Sequence, residues 1–165
     1  MIRNILNLRY AANLDYAHRL VEGLDEAQAN EAPAEGMNTP RWIIGHLAQT
    51  ADQVGLGWVL EMDRTIPEWD AWFDLGTLPS DLAEEQPSLA EALDHLDRLH
   101  GVVSERVLAS PPSFFERSLH DVAPERFRKR FPTVGNALAH IMLSHEMQHL
   151  GQLSAWRRVK GLSAV

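Results

Sequence analysis

Two histidines, His145 and His149, stand four residues apart late in the 165-residue chain. On an α-helix that spacing stacks both imidazoles on one face, where two nitrogens can point at a single ion. At about 100° per residue, Leu138, Ile141, Met142, His145, His149, Gln152 and Trp156 fall along one stripe. Both rings therefore lie on the face that should point into the protein. Burying two stacked imidazoles is costly unless something satisfies both, and a divalent metal does so. The string from 145 to 149 also matches H-E-x-x-H, the zinc-protease pattern in which Glu146 would be the general base. The rest of the chain argues against a protease. No Asp, Glu or His follows His149, and Gln152 and Ala155 stand where the longer form of the motif needs Gly and His.

A third ligand must come from upstream. The best candidate is His46, one turn after Trp42. Its face carries Thr39, Gln49, Thr50 and Gln53 beside the apolar Ile43, Leu47 and Val54, a polar strip along an apolar one, as a ligand pocket inside a bundle would show. A partly exposed helix face is the alternative. Trp42, Gln49, Thr50, Gln53, Met142 and Trp156 are the pocket candidates. Glu146 lies about 100° round from His145; it is a candidate proton acceptor, but its position favours an outward, solvated carboxylate. Gln152, one turn after His149, is placed to hydrogen-bond a ligand, and Gly151 to let another backbone approach. The other histidines are weaker candidates. His18 has Asp15 and Glu22 at helical-neighbour spacing, His95 and His100 diverge, His120 falls in a connection, and His140 points away from His145.

These residues need helices to position them, and four helical stretches stand out, with no convincing strand. The first runs from about Asn4, a possible cap, to Gly23, with Ile5, Leu8, Ala12 and Tyr16 on one stripe and Leu6, Tyr10, Ala17 and Leu20 on its neighbour. A capping-box turn is expected at Asp25–Gln28. The second helix starts at Thr39 as cap with Pro40 behind it and extends to about Met62. The third opens on the Ser88/Glu91 capping box and ends before Pro111 and Pro112. The fourth is capped by Thr133 and stops at Gly161. Helices of this length, roughly 30–40 Å each, bury their stripes most simply as an all-α four-helix bundle. Two long connections, 63–86 and 110–132, remain. In the first, the aromatics of Trp69-Asp70-Ala71-Trp72-Phe73 either pin the loop or cover a pocket mouth. In the second, Arg126, Arg128, Lys129 and Arg130 form the only basic cluster, read as a solvated loop that offsets local acid, with attraction of a carboxylate as the alternative. Met147 and Leu150, on the outer side of helix four, would suit a homodimer contact.

Composition bounds the function. The length suits one domain, 1–165. With 15 basic and 23 acidic residues the formal charge is −8, which argues against nucleic acid as a partner. There is no Cys, so disulfides, thiolate ligands and a protein thiol nucleophile are excluded, and a reducing cytoplasm fits. No apolar run is long enough for a membrane span, and the N-terminal residues do not read as a signal peptide.

The segments N-T-P-R-W-I-I-G-H-L-A (Asn38–Ala48) and H-I-M-L-S-H-E-M-Q-H-L-G-Q-L (His140–Leu153) resemble the DinB/YfiT-like superfamily, and the order and lengths of the helices agree over most of the chain. The resemblance implies a four-helix bundle holding one divalent ion through three histidines, carried over by motif to His46, His145 and His149. It also implies thiol-linked chemistry, since members include bacillithiol S-transferases and mycothiol-dependent isomerases. Three neutral imidazoles would leave an ion (Zn, Ni or Fe) its full charge and an open position, able to activate a water or a small-molecule thiol for attack on an electrophilic substrate. The expectation is thus a metal-dependent thiol transferase or hydrolase acting on a small molecule. The alternative is a binding or sensor bundle that holds a metal or small ligand without turnover.

Overall fold

The computed structural model describes residues 2–79 and 85–165. Its elements are α1 (Ile2–Val21), α2 (Glu26–Ala29), α3 (Pro40–Thr50), α4 (Asp70–Phe73), α5 (Leu89–Ala109), α6 (Glu125–Arg130), α7 (Val134–Ala139) and α8 (Glu146–Val159). α3 continues into a π-helical segment, Ala51–Val59, and a second π segment, His140–His145, joins α7 to α8 in one long last helix. No strand occurs among the described residues; one isolated bridge pairs Ser118 with Thr133.

Local chemistry starts the helices where the sequence places the caps. Thr39 Oγ1 accepts from the Trp42 amide. Ser88 and Glu91 close a full capping box, as do Asp25 and Gln28. Thr133 accepts from the Asn136 amide. Gly23 and Gly161, just beyond α1 and α8, have φ of 77° and 72°, the left-handed conformation that ends a helix. Asn4 is not a cap: α1 begins at Ile2, so Asn4 lies inside its first turn.

Contacts along the helices give the topology. Arg3 and Asn7 bond the carbonyls of Ser110 and Ser104, so α1 runs antiparallel to α5. Asn13 bonds the Met142 carbonyl and Arg157 the Leu20 carbonyl, so α1 is parallel to the last helix. Asn38 pairs with Gln152 and His46 with His145, so α3 is antiparallel to the last helix. The bundle is therefore up-down-down-up, with α1 packed on α5 and α8, and α3 packed on the same two. Because α3 and α5 are parallel neighbours, the chain between them must return along the bundle, which accounts for the long first connection. That connection carries a turn at Pro67–Trp69 and helix α4; its residues 80–84 lie outside the described residues. The second connection contains a turn at Pro112–Glu116 and α6.

The core gathers Leu6, Leu20, Ile43, Ile44, Leu96, Leu138, Met142 and Leu150, all essentially buried. Each such side chain contributes about 1.5–3 kcal/mol by leaving water. Of the two apolar stripes on α1, only Leu6–Tyr10–Ala17–Leu20 faces the core; Ile5 and Leu8 are exposed. Leu150 is buried, so it forms no outer apolar patch with Met147. His18 bonds Asp97 across to α5 at 2.6 Å rather than its own helical neighbours, because that carboxylate comes within reach only in the packed bundle. On α6 Arg126, Lys129 and Arg130 are exposed; Lys129 pairs with Glu125, the half-buried Arg128 donates to the Ala123 carbonyl, and Arg130 lies over the Phe131 ring.

Candidate metal centre

His46, His145 and His149 converge. Each offers a ring nitrogen, and the three atoms lie within 4.8 Å of one another. His46 comes from α3, all eleven residues of which are buried. The exposed-face alternative for this helix is thereby excluded. His145 ends the π segment of the last helix and His149 lies one turn into α8. His149 meets the other two rings edge to face and His46 is tilted against His145, with centroids 4.6–5.1 Å apart.

His46 is held from two sides. Trp42 stacks on it at 4.7 Å and 9°, and its own indole N–H donates to Thr77 Oγ1. His46 Nδ1 lies 2.6 Å from the Phe73 carbonyl. A carbonyl only accepts, so Nδ1 carries the proton and the Nε2 lone pair faces the other two histidines. That is the tautomer a metal ligand needs. Gly45 makes the contact possible, because a Cβ at this position would meet the Phe73 ring at 2.4 Å.

Phe73 is in turn delivered by a clamp of charges on the first connection. Arg64 holds Asp70 through both terminal nitrogens, at 2.7 and 2.6 Å, and Asp52 through Nε at 2.8 Å. Gln49 and Gln53 also hydrogen-bond Asp70. The fully buried Asp52 accepts from the Thr65 amide and hydroxyl as well. The Trp69–Phe73 segment thus buries Trp69 and Phe73 against the bundle and supplies a backbone acceptor to His46.

Burial pushes all three imidazoles toward the neutral form. His46 is lowered by desolvation, against the pull of the Phe73 carbonyl. His145 is lowered by desolvation and then by the neighbouring His46, His149 and His140. His149 falls to about 4 through desolvation and His46, against the hydrogen bond it donates to Gln152. The result is three lone-pair donors at neutral pH. Nδ1 of His145 and of His149 is buried without a hydrogen-bond partner. His46 Nε2 and His145 Nε2 are 3.2 Å apart; two nitrogens bound tetrahedrally at 2.0–2.1 Å to one ion would be separated by roughly 3.4 Å. The donor set and this one spacing fit a divalent ion.

The other candidates separate into two groups. Trp42 and Gln152 touch the histidines through the contacts above, whereas Gln49 and Gln53 bond Asp70. Thr50 lines a small cavity with His145, Glu146 and Tyr10, with room for about one water. Met142 is fully buried in the core, and the Trp156 indole is buried with its N–H on the Glu31 carbonyl. Glu146 departs from the expectation of a solvated carboxylate. It is buried, not solvated; its carboxylate accepts from His100 Nε2 at 2.7 Å and Asn13 Nδ2 at 3.0 Å. The reason lies in the π segment, whose longer turn brings residue 146 onto the buried row of Leu138, Met142, Leu150 and Leu153. Gly151 faces open space rather than another backbone. His140 stacks on Phe131 and touches His145 edge to face at 5.7 Å.

Gly45, Arg64, Asp52 and Asn13 were not singled out from the sequence, and neither the Phe73 carbonyl nor His100 was given its role there. A signal existed for two of them. Asn13 and His100 are polar residues on otherwise apolar rows, Leu6–Tyr10–Ala17–Leu20 of α1 and Leu96–Leu99–Val103 of α5.

This all-helical bundle with histidines converging from its second and last long helices defines a class, and the comparisons identify it. Residues 9–153 match the DinB superfamily, and the chain belongs to that family. Among solved structures it is similar to YfiT from Bacillus subtilis, with a TM-score of 0.69 and 17% identity over 98% of this chain and 89% of that one. That protein is described as a probable metal-dependent hydrolase with an unusual four-helix bundle topology. At this identity the likeness establishes the fold. No curated protein matches the chain.

Proposed function

We propose that this chain is a metal-dependent enzyme in which His46, His145 and His149 hold one divalent ion, Zn, Ni or Fe, and that it acts on a small-molecule electrophile as a thiol transferase or hydrolase. The observation that carries the reading is the convergence of three neutral imidazoles with the His46 proton fixed on the side away from the cluster. When bound, the ion supplies Lewis-acid activation of water or of a low-molecular-weight thiol. The chain has no Cys, so any thiol is a co-substrate.

The residues divide the work. His46 keeps its lone pair aimed inward through Phe73, and Trp42 walls one side. Gln152, exposed and in contact with His149 and Asn38, stands at the open side, where it can orient a ligand. Glu146 is not assigned as a base, because both carboxylate oxygens are already engaged. Only three donors cluster among the described residues. Three protein ligands leave a position for substrate, whereas a structural or sequestering site is normally closed by four. That favours turnover over the sensor reading.

The test is activity of metal-loaded and metal-stripped protein toward model electrophiles with bacillithiol or another small thiol, and toward activated esters. Metal-dependent turnover with a thiol supports transfer, and metal-dependent turnover without one supports hydrolysis. Equal rates with and without metal would end the proposal.

A further inference from the structure

The two halves of the histidine cluster are held differently. His46 has its own hydrogen bond, but Nδ1 of His145 is buried with no partner. Metal-binding histidines ordinarily donate the second nitrogen to an acceptor that fixes the ring. With no such acceptor, the direction of His145 depends on its backbone, and that backbone is the end of a π segment. An isolated π turn is less stable than the α-helix it interrupts and persists where something outside the helix holds it.

Side chains from α1 and α5 supply that hold. Asn13 of α1 donates from Nδ2 to the Met142 carbonyl, within the π segment, and to Glu146 Oε2, the first residue after it, both at 3.0 Å. One amide thus straddles the point where the hydrogen-bond ladder returns from π to α. From the opposite helix, α5, His100 Nε2 meets Glu146 Oε1 at 2.7 Å. Tyr10, one turn before Asn13, stacks on the His100 ring at 3.5 Å and 10°. All four side chains are buried. A buried carboxylate with its partners is not the cheapest way to fill a bundle core, since an apolar set of similar volume commonly packs as well or better.

We propose that Asn13, Glu146 and His100 are positioning residues that lock the π register of the last helix and thereby aim His145 at the metal position. The trio touches neither substrate nor ion. It converts the packing of α1 and α5 against the last helix into the orientation of one ligand. The proposal rests on the three-histidine metal reading and deepens it.

The test uses Co2+ as a visible probe and Zn2+ competition for affinity, on the full chain. Two variants are compared with the unaltered protein: Asn13→Ala, and the apolar triple Asn13→Leu, His100→Leu, Glu146→Leu. The expected result for both is metal affinity lower by about 10–100-fold, with a weakened, shifted Co2+ spectrum, while far-ultraviolet dichroism of the metal-free protein stays helical. A purely structural trio predicts otherwise: a folded triple variant with unaltered affinity and spectrum would overturn the proposal. Amide exchange gives a readout free of metal and of the triple variant's folding. In metal-free Asn13→Ala, residues 141–146 should exchange faster while α5 is unchanged; identical protection there would also overturn it. The starting protein separates the two ideas. If it binds no Co2+, the metal reading fails and this proposal with it; if it binds and the variants bind equally, only this proposal fails.

Discussion

His46 donates its Nδ1 proton to the backbone carbonyl of Phe73 at 2.6 Å, and both residues are buried. This bond ties a helix of the bundle to the long connection that follows it. It makes part of that connection structural to the histidine cluster, although none of the connection's described side chains belongs to the cluster.

Gly45→Ala tests how tightly the tie is built. Helix propensity alone predicts a gain of up to about 1 kcal/mol. The new Cβ would fall 2.4 Å from the Phe73 ring, however, and the ring is fully buried. The expected outcome is a loss of about 1–3 kcal/mol from overpacking, with weaker Zn2+ binding as the Phe73 carbonyl moves. Chemical denaturation and a competition titration read the two effects. A stabilised variant with unaltered affinity would contradict the account.

Arg64→Met removes the cation shared by Asp52 and Asp70. Asp52 is fully buried, so its charge loses its partner without gaining water. A loss of about 3 kcal/mol is expected in denaturant unfolding. Arg64→Lys should recover little, because one ammonium cannot reproduce the fork on Asp70 and the bond to Asp52 together. Full recovery by lysine would show that only charge matters there.

Acid should destabilise the metal-free protein. An unfolded histidine titrates near 6.5, whereas His149 in the fold titrates at about 4 and His46 and His145 are also lowered. Between those values the unfolded chain binds more protons, so stability rises with pH. The contribution is complete above about 6.5 and drains away as pH falls toward 4. Glu146, raised by burial, works in the opposite sense as one group against three. Thermal unfolding at pH 7 and pH 5 checks the direction, and the double variant His145→Asn, His149→Asn should flatten the slope. An unchanged slope would remove the histidines from the explanation.

His145→Ala should abolish stoichiometric metal while leaving the helices formed. Elemental analysis of protein purified without a histidine tag measures it. In the unaltered protein, metal should be released as pH falls, since ligation competes with protonation of the imidazoles. Full retention by His145→Ala, or metal held unchanged at pH 4, would contradict ligation by this trio.

What the sequence determined by itself is what depends on near neighbours along the chain. The caps at Thr39, Ser88 and Thr133 are three-residue events, and the apolar rows of the four long helices follow from periodicity. The convergence of His46 with His145 and His149 was legible because a 145–149 pair on an inward face needs a partner on another inward face, and the second helix offers one histidine. Tertiary structure decided the rest, through contacts distant in sequence. A π turn depends on outside groups such as Asn13 to hold its ladder, so a uniform 100° rotation turned Glu146 to solvent when it is buried against His100. The Phe73 carbonyl carries no side-chain signature, and Arg64 becomes a clamp only once Asp52 and Asp70 face it. The parallel run of α3 and α5, which makes the first connection long, is a choice among bundle topologies that equal stripes on each helix leave open.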